Sequence, residues 1–495
     1  MAGRWSRATG ACRSGSRLPP ADSVPRARQP ILHNGAGHLM TIAPTGSGKG
    51  VGAIIPALLR HRGPVIVIDP KGENYAVTAA HRRKLGHEVV LLDPFGVTGE
   101  EGGGLNPVDL LDKDDPCMVD DAAMLAELLV PSGDGTAMNS DPFWSNRARQ
   151  VVHAILLGLV MHRPPVLRNV EELYYLLHQN EQDLEFTMRE FRNSPLRALA
   201  DGASVLELKN DGKVQSSYLS VAQDHLAGLG DRDLSTSLGR STFDLGAVTR
   251  GDPLSIYIVM PPDRLQSHRR LLRLWIGCLF SLVLRRRTRI DPPTLFLLDE
   301  AAQLGPLPQF RQALTLLRGY GLQCWSFWQD LSQLQRLYPR DWSTLYNNCA
   351  VHQVFGITNM GMARSIARLN RTHDAQLLLE LEPDEMELSL AGMLPVIAQR
   401  PNYLSDPPFL GQFRPNPFFE GGRHAADPAD HPARIYDSQV RELHPTREEL
   451  AEEIEQAWEL GDLTPLGEDT LRRILPDEHV HNATLSDGQR AEDCE

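Results

Sequence analysis

The sequence predicts an α/β fold: a doubly wound parallel sheet flanked by helices, with an all-α stretch inserted into it. Three observations carry this. Short continuous apolar runs alternate with stretches of helical spacing, as strands buried on both faces alternate with crossover helices. The first run feeds a glycine-rich loop and then an apolar helical stretch, Val51 to Leu59. Between about Asp112 and Asp244 the strand-like runs stop.

The elements follow in order. His38–Ile42 is a short strand that runs into Ala43-Pro44-Thr45-Gly46-Ser47-Gly48-Lys49-Gly50. Pro64–Asp69 and Glu88–Asp93 are apolar runs that end in aspartate. Leu254–Met260, Thr294–Leu298, Leu322–Trp328 and Ala350–Phe355 repeat the pattern later. In the inserted stretch, Met118–Val130, Asn146–Met161, Asn169–Leu177 and Pro195–Leu208 carry apolar residues at helical spacing. The resulting division is a basic disordered leader (1–37), a first sheet segment (38–112), an all-α insert (113–244), a second sheet segment (245–415) and an acidic tail (416–495). In the tail, Thr446-Arg447-Glu448-Glu449 forms a capping box ahead of Leu450, Ile454 and Trp458. That helix is either a solvated appendage or a docking segment.

The chain has 495 residues, 41% hydrophobic and 23% charged, as in an ordinary soluble globular protein. Collagen-like, repetitive and wholly disordered classes are excluded. Six scattered cysteines without a C-x-x-C pair exclude a disulfide scaffold and predict reduced thiols in the cytoplasm. The net charge is −13, but the tail alone carries 20 acidic against 7 basic residues, and the first 37 residues hold six Arg against one Asp. The body is close to neutral, so any contact with nucleic acid needs a local basic patch. Arg82, Arg83 and Lys84, and Arg285, Arg286, Arg287 and Arg289, are the candidates. The longest apolar run, Leu274–Leu284, is 11 residues, which fits a buried core helix and is too short to span a membrane.

Two places carry chemistry. In the loop, Gly46 and Gly48 let backbone N–H groups turn inward to cradle phosphates, and Lys49 reaches the β- and γ-phosphates at a helix N-terminus. Pro44, Thr45, Gly46, Ser47, Gly48, Lys49, Gly50 and Val51 are therefore the expected nucleotide-binding residues, with ATP as ligand. The loop departs from the usual pattern at Ala43 and at Gly50, where a hydroxyl would ligate Mg²⁺. The second place is Leu295–Leu298 followed by Asp299-Glu300, an apolar strand ending in a carboxylate pair. Asp299 is the expected Mg²⁺ ligand, through water if need be, and Glu300 the base that orients and deprotonates the attacking water.

These and further motifs make the chain resemble the TraG-type ATPases, the coupling proteins of type IV secretion and conjugation. The resembling residues are His38–Val51, Asp69–Glu73 (DPKGE), Asn106-Pro107, Asp141–Trp144 (DPFW), Leu298–Gly305 (LDEAAQLG), Arg318–Gly321 (RGYG), Gln329–Leu334 (QDLSQL) and Glu382–Glu385 (EPDE). The resemblance implies a RecA-like P-loop NTPase sheet, Gln329 as sensor of the γ-phosphate or of water, and Arg318 as a finger toward the neighbouring subunit of a homohexamer. It also implies ATP hydrolysis that moves DNA–relaxase complexes or protein substrates into a secretion channel at the cytoplasmic face of the bacterial inner membrane. Single- or double-stranded DNA, a relaxase and channel components are the implied partners.

Lys71 and Glu73 either line the nucleotide cleft or form an exposed pair. Phe143 and Trp144 read as a hydrophobic anchor of the insert. Coupling proteins carry N-terminal transmembrane helices, whereas this chain starts 37 residues before its sheet. A soluble variant, a misplaced start and a membrane partner all accommodate that. Two other functions compete: a cytoplasmic FtsK-like translocase or helicase, and a nucleotide-binding adaptor without turnover.

Overall fold

The computed structural model describes residues 31, 33, 35, 37–131, 142–205, 212–231, 234–372, 375–391 and 393–417. The predicted tail helix, Asp141 and residues 206–208 lie outside them. Nine strands form one sheet: β1 His38–Ile42, β2 Val65–Asp69, β3 Glu88–Leu92, β4 Leu254–Val259, β5 Thr294–Leu298, β6 Leu322–Trp328, β7 Cys349–Val354, β8 Glu385–Leu390 and β9 Val396–Gln399. Their spatial order is β3-β4-β2-β5-β6-β1-β7-β8-β9.

β1 to β7 pair in parallel, and each sits where a continuous apolar run predicts a strand. β8 and β9 pair antiparallel, so the sheet is mixed where the sequence predicted a parallel one. The physical reason is exposure. β8 (EMELSL) alternates, and β9 (VIAQ) is a short edge strand with Val396 and Ile397 open to solvent, so neither carries a continuous apolar run.

Alternate residues of the parallel strands feed two apolar layers. Ile66, Ile68, Ile256, Ile258, Phe296 and Leu298 face one side, and Val65, Val67, Tyr257, Leu295 and Leu297 the other. The second layer is covered by α1 (Ile55–Arg60), preceded by a π-helical turn over Gly50–Ile54, and by α2 (Glu73–Lys84). The first is covered largely by helices that follow. Among those between β3 and β4 are α3 (Met118–Leu129), α4 (Pro142–His162), α5 (Val170–Leu177), α6 (Glu181–Arg192), α7 (Arg197–Val205) and α8 (Gly212–Leu226). α9 (Arg269–Leu284) contains the long apolar run, and its residues from Leu271 to Val283 are all buried. One core runs from the sheet face through α9 into α3, α4 and α5. No helix among the described residues is long and apolar enough to cross a membrane.

Candidate nucleotide site

Strand register assembles the site. Ile68 of β2 lies beside Leu298 of β5, Leu298 beside Ser326 of β6, and Trp328 of β6 beside Ile42 of β1. Asp69, the last residue of β2, therefore meets the residues just past the other strands at one edge of the sheet: Asp299-Glu300, Gln329 and the loop from Ala43. That is the carboxyl edge, where open α/β sheets receive ligands. A backbone bond from the Ala43 N–H to the Trp328 carbonyl (2.8 Å) ties the loop to β6.

In the loop, Gly46 and Gly48 have φ of +80° and +84°, a region that side chains disfavour. The Ser47 hydroxyl donates to the Pro44 carbonyl at 2.6 Å and closes the turn. A Cβ at Gly46 or Gly50 would meet nothing within 4 Å, so the cradle is open at both. Lys49 Nζ donates to the Ala43 carbonyl and to Glu300 Oε1, both at 3.3 Å. Gln329 Nε2 donates to the other Glu300 oxygen at 2.7 Å. Lys49, Glu300 and Gln329 thus form one chain of bonds.

Glu300 has φ +58° and ψ +49°, a left-handed backbone that costs a non-glycine residue about 1–2 kcal/mol. Such strain persists only where the surroundings enforce it. No residue pattern marks this turn in advance. Beside Glu300, burial pushes the Asp299 carboxyl up to about 6, with Lys49 pulling the other way. Its Oδ1 is buried with no hydrogen-bond partner. An unpartnered buried carboxylate oxygen beside an open glycine cradle fits a Mg²⁺ ion or its bound water.

Asp69, quoted in the sequence only as part of a motif, is buried and accepts bonds from the Tyr75 N–H (2.8 Å) and Asn74 Nδ2 (3.3 Å). Burial raises its carboxyl to about 7. Lys71 and Glu73 do not pair with each other. The Glu73 charge is felt by Asp69 and Asp299, whereas exposed Lys71 lines a cavity of about 190 Å³ with Tyr75, Thr98 and Glu100. Arg318 lies on a 3-10 turn, Leu317–Tyr320, and its side chain is outside the described residues. Trp144 packs on the helical core and Phe143 is exposed.

Within the basic clusters predicted as DNA contacts, three arginines are turned to structural use instead. Arg82 is fully buried and donates to Ser255 Oγ (2.9 Å) and to the carbonyls of Gly63 (2.6 Å) and His61. Arg286 is buried and donates to Val248, Gly321 and Thr294. Arg285 pairs with Asp121 at 2.6 Å. All three hold backbone and helix ends together; Arg82 and Arg286 offer no surface to DNA, and Arg285 is half-buried. Arg83, Lys84, Arg287 and Arg289 remain exposed.

The sequence matches the family described as "Type IV secretory system Conjugative DNA transfer" over residues 17–370. The chain belongs to this family. Within it stand the TraG-type coupling proteins that the motifs resemble. Conjugal transfer protein TraG of Escherichia coli is 28% identical over 371 residues, covering 69% of this chain and 56% of TraG. Protein VirD4 of Rhizobium rhizogenes is 28% identical over 306 residues, covering 61% and 44%. The chain thus spans about half the length of these curated relatives. Among solved structures, plasmid coupling protein TrwB with a non-hydrolysable ATP analogue aligns with a TM-score of 0.56 at 17% identity, over 74% of this chain and 87% of TrwB. TrwB with ADP and Mg²⁺ gives 0.55 at 16%, over 73% and 85%. At such identity the likeness is one of fold, and the fold shared is the RecA-like P-loop NTPase sheet.

Proposed function

We propose that this conjugative DNA transfer protein binds and hydrolyses ATP with Mg²⁺ to drive cargo into a type IV secretion channel. The observation that carries this reading is the chain Lys49–Glu300–Gln329 beside the unpartnered Asp299 oxygen, at the carboxyl ends of adjacent parallel strands. The nucleotide complexes of TrwB support it.

Each residue has a role. The N–H groups of the 44–51 loop hold the phosphates. Lys49 gives up Glu300 for β- and γ-phosphate oxygens when nucleotide enters. Glu300, so released and still held by Gln329, orients a water and accepts its proton as the water oxygen bonds to the γ-phosphorus and the bond to the β-phosphate oxygen breaks. Asp299 is the residue that would hold Mg²⁺, which when bound neutralises charge on the phosphate oxygens. Arg318 supplies a further cation from a neighbouring subunit of a homohexamer. The helical stretch 113–244 and the acidic tail recruit cargo, a DNA–relaxase complex or a protein, and the exposed arginines meet DNA. The protein works at the cytoplasmic face of the inner membrane.

Hydrolysis by the purified chain, with and without single-stranded DNA and across protein concentrations, tests this. Lys49→Ala is expected to abolish turnover. Glu300→Gln is expected to keep ADP binding while turnover falls by about 10²–10⁴. Arg318→Ala is expected to remove the rise with concentration. Nucleotide binding without turnover at any concentration would leave an adaptor instead.

A further inference from the structure

Beyond β9 the chain turns back over the phosphate loop, and Arg400 stands at the turn. Its backbone N–H donates to the Asp384 carbonyl at 2.7 Å. Its Nη1 donates to the Ser47 carbonyl at 2.7 Å, and its Nη2 to the Pro383 carbonyl. The guanidinium carbon lies 4.3 Å from the centroid of the Phe355 ring, a cation–π distance. Three carbonyl and ring contacts from separate segments therefore fix this side chain. Gly48 makes room for it, since a Cβ there would come within 3.3 Å of Nη1. The neighbouring Gly356 does the same for the loop, since its Cβ would fall 2.6 Å from that of Ser47.

The Ser47 carbonyl and the Gly48 N–H belong to one trans peptide, so they point in opposite directions. Holding the carbonyl on Arg400 turns the Gly48 N–H away from Arg400. We propose that Arg400 is a positioning residue of the phosphate loop: it locks the Ser47–Gly48 peptide with its N–H toward the phosphate and adds a fixed positive charge behind that donor. The inference rests on reading the loop as a nucleotide site. Arg400 lies past the stretch 17–370 that matches the family, and no motif marks it. Arginine suits the place better than lysine, because its planar fork reaches two carbonyls and still stacks on the ring.

The test is calorimetric titration of the full chain with ADP, for wild type, Lys49→Ala, Arg400→Ala and Arg400→Lys, at a temperature where melting curves show every variant folded. Arg400→Ala is expected to weaken ADP about tenfold, the loss of one charge-assisted bond. Arg400→Lys is expected to recover part of that loss, because one ammonium still reaches the Ser47 carbonyl. Affinity of Arg400→Ala within about twofold of wild type, or Arg400→Lys as weak as Arg400→Ala, would overturn the inference. If Arg400→Ala does not fold, Arg400→Gln takes its place, with the same order expected: wild type, Lys, Gln. Wild type without ADP affinity would remove the nucleotide reading and this inference together. Loss in Lys49→Ala but not at Arg400 would remove only the inference.

Discussion

Glu300 does two things that pull against each other. It supplies a carboxylate to Lys49 and Gln329, and it adopts a left-handed backbone at φ +58° to do so. A glycine would take that backbone without strain. Glu300→Gly is therefore expected to be about 1 kcal/mol more stable than Glu300→Ala. Both variants lose the same carboxylate, so the difference isolates the backbone, and melting midpoints measure it. Alanine equal or better would show that the turn carries no strain. That Lys49, Asp299 and Glu300 lie together was legible in the sequence, because each follows a strand or glycine-rich loop, whereas Gln329 was marked only by the family resemblance. The strain at Glu300 was not, since no residue pattern distinguishes it. Arg82 and Arg286 misled for a related reason: a guanidinium saturated by backbone carbonyls looks, in sequence, like one facing water.

At the scale of elements, the seven parallel strands could be read because burial on both faces writes an uninterrupted apolar run. β8 and β9 could not, since a half-exposed antiparallel edge writes none. That edge nonetheless carries the segment that crosses the phosphate loop. Tyr403 anchors the crossing. Its N–H donates to the Val51 carbonyl at 3.4 Å, and its ring is buried in a small cluster with Ile55, Leu59, Val77 and Phe409. The cluster joins this segment to α1 and α2 and is separate from the main core. Tyr403→Ala is expected to cost about 3 kcal/mol, typical of removing a buried aromatic ring. Denaturant unfolding reads the cost. Proteolysis beyond residue 399 should quicken with it. An unchanged midpoint together with unchanged proteolysis would show that the crossing is held elsewhere.

The whole molecule responds to acid through a few buried groups. His61 is one. Burial and then the Arg82 charge hold its imidazole down to about 4 from an ordinary 6.5, and its Nε2–H donates to the Pro293 carbonyl at 2.9 Å. The unfolded chain takes up a proton at this residue below pH 6.5 and the folded chain does not until about 4. Stability from His61 is thus complete above 6.5 and is lost as pH falls toward 4, by about 3 kcal/mol in all. His61→Gln is expected to flatten the fall in melting midpoint between those values. Asp69, whose carboxyl is raised, acts in the opposite sense, and comparing wild type with the variant subtracts it. Parallel pH curves would refute the assignment. Finally, the bond from Arg400 to Ser47 joins residues 353 positions apart. During synthesis at roughly 5–20 residues per second, the loop leaves the ribosome tens of seconds before the residue that completes it. Over that interval the nascent chain has the loop without its final support. On the nucleotide reading proposed above, a chain broken off before Arg400 would carry the signature loop without its full grip on phosphate.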